Sequence, residues 1–154
     1  MAWVNITRRQ DRRGDEGSEI IELAVVLPIL LFVIAGIVDF GFLFQRYETV
    51  TNAAREGARV AVLQNYTTAD VTARVQSYLT ASGLSATPTT TITYSPVTLG
   101  VGGPTIQVAR VVVTYPSTSF LLGPFATLVG GTQPGTITLQ AVSEMRLEAG
   151  AGGS

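Results

Sequence analysis

From Leu23 to Val38 no position is charged, and after Asp39 the apolar run resumes as Phe40-Gly41-Phe42-Leu43-Phe44. The run of a little over twenty mostly apolar residues matches the ~20 needed to cross ~30 Å of hydrocarbon as a helix. The helical period continues beyond it. Tyr47, Val50, Ala54, Ala58 and Ala61 fall on one face, and Glu48, Asn52, Arg55, Glu56 and Arg59 on another. As one helix, residues 19–63 would reach ~65 Å at ~1.5 Å per residue, about twice the hydrocarbon thickness. The second half is amphipathic, so its apolar face must pack on something.

The rest of the chain supplies a sheet and a short helix. Thr89–Ser95, Thr105–Tyr115 and Thr136–Leu147 are rich in Thr, Val, Ile and Tyr and read as strands. The last alternates, with Ile137, Leu139, Ala141 and Met145 against Thr138, Gln140, Glu144 and Arg146. Gly100 to Pro104 and Gly130 to Gly135 carry turn residues between strands. Ahead of the first strand, Thr67-Thr68-Ala69-Asp70 reads as a capping box. Val71, Val75, Tyr78 and Leu79 then follow at helical spacing, with a stop at Gly83, which places a helix over about 68–82. Phe120-Leu121-Leu122-Gly123-Pro124-Phe125 shows neither strand alternation nor a clear helical face. Three readings stay open for it: a loop covering the core, a subunit contact or a membrane-surface patch.

Residues 1–17 are polar, with Arg8, Arg9, Arg12 and Arg13 among Asp11, Asp15 and Glu16, and read as a disordered leader. The basic cluster is denser before the apolar run than after it, where Arg46 stands, so the N-terminus is expected inside and the C-terminal domain outside. Val33-Ile34-Ala35 offers a small-residue cleavage site of the secretory type, but the chain beyond it stays apolar and Glu22 breaks the front of the run. An anchor fits better than a removed signal. Glu22 itself needs a partner, because a lone carboxylate in hydrocarbon costs several kcal/mol or takes up a proton.

Pro28 inside the run removes one backbone hydrogen bond and is expected to kink the helix, while Gly36 and Gly41 permit close helix approach. Proline and glycine are common in membrane helices, so alone they do not establish assembly. In Asn52-Ala53-Ala54-Arg55-Glu56-Gly57-Ala58-Arg59 the small residues allow close packing on a sheet, and Glu56 and Arg59 can pair at i,i+3. The same strip, with Asn52, Arg55, Glu56, Gly57 and Arg59, is equally a contact surface for neighbouring subunits or assembly partners.

Composition narrows the chemistry. With a net charge of −1 and ten arginines spread along the chain, no clustered basic face exists for nucleic acid. The chain has no cysteine, histidine or lysine, which removes thiolate and imidazole chemistry, the commonest metal ligands and Ser-Lys dyads. Carboxylate-only hydrolysis stays formally open, yet Glu144 and Glu148 flank a strand end without a visible pocket signature. No enzymatic activity, cofactor, metal or small-molecule substrate is expected.

Three ordered blocks, Ile21-Glu22-Leu23-Ala24-Val25-Val26-Leu27-Pro28-Ile29-Leu30, Gly36-Ile37-Val38-Asp39-Phe40-Gly41 and Asn52 to Arg59, resemble the TadE-like family of tight-adherence pilus proteins. The resemblance covers about 17–62; the remainder is similar only in Tyr115-Pro116 and Met145-Arg146-Leu147-Glu148. It implies a minor pilin or pseudopilin of the Flp/Tad pilus or secretion system, trimmed by a prepilin peptidase and acting in pilus assembly and adhesion. By position, Gly17 precedes the cut, Ser18 becomes the first mature residue and Glu22 is the fifth-position glutamate, facing the new α-amino group of a neighbouring copy. Leu23 stands where Flp-type pilins usually carry tyrosine. The implied partners are the membrane, the prepilin peptidase, other pilin subunits and the Tad assembly machinery. The implied location is the cytoplasmic membrane, with incorporation into a pilus at the cell surface.

The expected fold is α+β and type IV pilin-like: a long N-terminal transmembrane helix continuing into a small domain with a short second helix and an antiparallel sheet of about three strands. Its parts are a leader over 1–17, the helix over 18–63, an extracytoplasmic domain over 64–148 and a flexible tail over 149–154. The alternative is an uncleaved single-pass envelope protein whose outer domain binds a partner, distinguished by processing at Gly17.

Overall fold

A computed structural model describes residues 12–128, 130–132 and 135–147, with side chains from Gly17 onward. The element order is α1 (Arg12–Ala61), α2 (Thr68–Ala81), β1 (Thr89–Thr98), β2 (Thr105–Ser117), α3 (Leu122–Leu128) and β3 (Ile137–Arg146). The class is α+β, with one long helix, a short second helix and a three-stranded antiparallel sheet in the order β1-β2-β3.

Helix α1 is continuous over 50 residues with Pro28 in its interior. It starts earlier than the composition indicates, since Arg12–Gly17 belong to the helix although they read as leader. Once nucleated, a helix gains one hydrogen bond per residue added, and this polar segment carries no proline to stop it. Residues 1–11 of the leader and the tail 149–154 lie outside the described residues, as does Glu148.

Two different surroundings divide α1. Along the apolar run most side chains face outward, Ile29, Ile37 and Phe40 each being more than 60% exposed. In the second half Val50, Ala53, Ala54 and Ala58 are fully buried against the sheet and α2. Tyr47, assigned to the apolar face by spacing, is exposed instead. Gly57 lets α2 and the sheet come close: a Cβ there would meet Val75 Cγ2 at 2.7 Å and Val111 Cγ1 at 3.4 Å.

Helix α2 has the capping box that its sequence announces. Thr67 Oγ1 accepts the Asp70 amide at 3.3 Å, and Asp70 Oδ2 accepts the Thr67 amide at 2.8 Å and its hydroxyl at 2.7 Å. Val71, Val75 and Leu79 complete the core from this side, and Gly83 stops the helix with a φ of 82°. β2 is the central strand and contributes Ala109, Val111, Val113 and Tyr115; β3 contributes Leu139 and Ala141 in the expected alternation. The β1–β2 turn needs glycine at 103, where any Cβ would collide with the Leu99 carbonyl oxygen.

Two contacts fix how the sheet runs along α1. Arg46, in the C-terminal third of α1, meets Ser117 at the end of β2; at the very end of the helix, the Ala61 carbonyl accepts the Tyr94 hydroxyl at 3.4 Å. β2 therefore runs antiparallel to α1, and the connection from β2 to β3 emerges beside the apolar run.

Candidate functional site

The connection between β2 and β3 is where this chain concentrates its polar bonding. Asp39 is only 7% exposed, and its carboxylate accepts three consecutive backbone amides: Phe120 and Leu121 on Oδ1 at 3.0 and 2.8 Å, and Leu122 on Oδ2 at 2.7 Å. Two helical turns on, Arg46 Nη1 donates to Ser117 Oγ and to the Thr118 carbonyl, both at 2.8 Å. Residues seven apart share a helix face. Asp39 and Arg46 therefore grip the segment 117–122 from one side of α1.

This grip creates α3. The segment Phe120–Phe125, which has no helical signature of its own, becomes the start of a helix because its first free amides find an acceptor on another element. Bonds from amides to a carboxylate are each worth roughly 1.5–3 kcal/mol, enough to outweigh weak local propensity. Pro124 falls in the first turn, where a missing amide costs nothing. Two aromatic pairs extend the contact, Phe120 on Phe42 and Phe125 on Phe32, each with ring centroids 5.7 Å apart. Beside the grip, an apolar groove of about 220 Å³ opens between α1 and this segment, lined among others by Gly36, Phe40, Leu43 and Ile137.

Sequence reasoning used Asp39 only as an interruption of the apolar run and did not assign it a role. The available signal was general: an ionisable residue inside an apolar span is costly and needs named partners. Glu22, whose expected partner is the α-amino group of a neighbouring copy, is exposed and makes no hydrogen bond or ion pair among the described residues.

The residues singled out from sequence do not converge on one place. Gly17 and Ser18 are exposed on helical backbone. Nothing lies within 4 Å of a Cβ built at Gly36 or Gly41, so neither glycine is required by a close contact within the chain, Gly36 opening onto the groove beside α3. Asn52, Arg55 and Arg59 are exposed, whereas Gly57 faces the core. Glu56 takes Arg74 of α2 as its main partner, with Nη2 to Oε1 at 2.7 Å and Nε to Oε1 at 3.1 Å, and the pairing expected with Arg59 stretches to 4.0 Å. Asn52 and Arg55 instead line a shallow outward groove with Phe44, Tyr47, Glu48 and Thr51. Among the described residues no cluster of three or more His, Cys, Asp or Glu side chains is placed to hold a metal ion.

Comparison with known proteins gives one positive finding. The family model described as TadE-like protein matches residues 17–59, the apolar run together with its amphipathic continuation. No curated protein and no solved structure matches the chain. The matched stretch lies wholly within α1 and includes Asp39 and Arg46 as well as Glu22. The long helix thus carries a segment similar to the TadE-like family, over residues 17–59.

Proposed function

We propose that the chain is a minor pilin or pseudopilin of a Flp/Tad pilus or secretion system, cut after Gly17 by a prepilin peptidase and acting in pilus assembly and adhesion. The observation that carries this reading is the division of α1: one helix long and apolar enough to cross a membrane, largely exposed along its first half and packed on a small α+β domain along its second. In this reading the protein waits in the cytoplasmic membrane as a single span, N-terminus inside and domain outside. A single span has no second helix to extract, so it can be drawn into a filament by lateral association.

Glu22 then supplies register. Exposed on α1 and without a described partner, it pairs with the α-amino group of Ser18 on a neighbouring copy once the leader is removed, as a polar group in a coiled-coil core sets alignment. The outward strip at Asn52, Arg55 and Arg59 adds contacts to other subunits or to the assembly machinery. The role is structural and uses no catalytic chemistry or cofactor.

Intact mass and N-terminal sequencing of the protein from membranes of cells with and without a prepilin peptidase test the assignment. A peptidase-dependent chain beginning at Ser18 is the expected result. An intact N-terminus in both strains overturns the processing step and puts an uncleaved single-pass envelope protein in its place.

A further inference from the structure

The height at which α3 meets α1 carries a consequence for what surrounds it. Phe120 packs on Phe42 and Phe125 on Phe32, so the segment descends along α1 toward its N-terminus by about 15 Å, at ~1.5 Å per helical residue. Phe32 lies about 18 Å back from the end of the apolar run at Phe44, and Leu23–Leu31 alone would span only ~14 Å, too short for a ~30 Å hydrocarbon layer. Any bilayer that α1 crosses must therefore cover Phe32. What covers Phe32 also reaches Phe125.

The segment is built for that surrounding. No charged residue occurs between Arg110 and Glu144 in the sequence, although charges flank both ends of this stretch. Phe120 and Leu128 are exposed at 62% and 81% with no protein against their outer faces. Irregular backbone at membrane depth needs its polar groups satisfied internally, and several amides of this segment have acceptors within the chain. Asp39 takes the amides of Phe120, Leu121 and Leu122; Pro124 has none; Phe125 donates to the Leu121 carbonyl at 3.0 Å; and Gly131 donates to the Ala126 carbonyl at 2.7 Å. The Thr127 hydroxyl is turned back onto the Pro124 carbonyl at 2.8 Å.

We propose that α3 and its flanks are immersed in the acyl-chain region of the bilayer leaflet on the domain's side, making the β2–β3 connection a second membrane element beside the span. The occupant of its exposed apolar face is lipid, continuous with the lipid around α1. Asp39 serves as the buried acceptor that makes this immersion possible, and Arg46 ties the segment to the base of the sheet. The inference rests on the reading of α1 as a membrane span.

The absence of native cysteine allows single-cysteine labelling of the full chain. Leu128→Cys and Thr127→Cys probe α3 at two exposed positions, so failure of one to fold leaves the other; Leu30→Cys reports on the span and Ser77→Cys on α2. Each is labelled with an environment-sensitive fluorophore and reconstituted in vesicles of equal parts phosphatidylcholine and phosphatidylglycerol, with and without brominated acyl chains. Quenching at the α3 positions within about twofold of that at Leu30→Cys, and several-fold above that at Ser77→Cys, is the result expected of an immersed apolar segment. Strong quenching at Leu30→Cys with α3 behaving like Ser77→Cys overturns the inference and leaves the span standing, as would follow if water or a second copy covered α3. Absence of quenching at all four positions overturns both.

Discussion

Asp39 accepts three amides through one carboxylate, and the consequence of losing it is local. In Asp39→Ala the amides of Phe120, Leu121 and Leu122 lose their acceptor, at about 1–3 kcal/mol for each one that stays buried and unpaired. Amide hydrogen exchange on detergent-solubilised protein should show protection at 120–122 falling by one to several orders of magnitude, about tenfold per 1.4 kcal/mol, with the sheet amides little changed. Unaltered exchange at these three would contradict the role. Asp39→Asn, which keeps one acceptor oxygen, should fall between wild type and Ala. Asp70 gives a second residue-level expectation. The Thr67 amide, and then its hydroxyl, hold the Asp70 carboxyl below its ordinary value of 3.8. A depressed folded-state value means that the contribution is fully present above the unfolded pKa and disappears as pH falls through the folded one. The stability difference between wild type and Asp70→Asn should thus be constant above about pH 5 and shrink below about pH 4; a difference independent of pH in thermal unfolding would count against it.

Among the elements, α1 and α2 pack closely at Gly57. Alanine there gains roughly 1 kcal/mol of helix propensity, but its Cβ would stand 2.7 Å from a methyl group of Val75, which is fully buried and β-branched. Forcing the helices apart costs more than the propensity returns, so Gly57→Ala should be destabilising by about 1–3 kcal/mol in unfolding of the full chain. Val75→Ala in the same background should recover part of that loss, and strict additivity of the two substitutions would exclude the clash as its cause. The surface pairs contribute far less: Glu56–Arg74 and Arg110–Glu144 are exposed ion pairs of the kind worth at most about 1 kcal/mol. The elements themselves were largely legible. The capping box of α2 and the alternation in β3 are local patterns, written in adjacent residues. Helix α3 was not legible, because its amides are satisfied by Asp39, far away in sequence, and its own residues favour no element.

For the whole molecule, the proposed assembly predicts separable effects at two places on α1. Glu22→Ala should insert into membranes as wild type does while its fraction in sheared filaments falls by an order of magnitude or more, as expected for loss of a register-setting charge pair in low dielectric. Normal incorporation would remove Glu22 from the mechanism. Arg55→Glu reverses a charge on the outward groove without touching the core, so its thermal stability should stay within about 0.5 kcal/mol of wild type. A loss of partner capture by this folded variant would assign the strip at Asn52, Arg55 and Arg59 to assembly; full capture would leave it a solvated helix face.

By itself the sequence determined the two halves of α1, the sheet and the division between an outward-facing apolar half and a half packed on the domain. Each of these depends on the period of apolar residues, and burial of apolar area needs only the right spacing. Tertiary structure alone decided which carboxylate of the apolar run has partners within the chain, how Glu56 divides between Arg59 and Arg74, and where Phe120–Phe125 lies. Those outcomes depend on directional hydrogen bonds between residues distant in sequence, whose distances come into being only when β2 is laid antiparallel to α1.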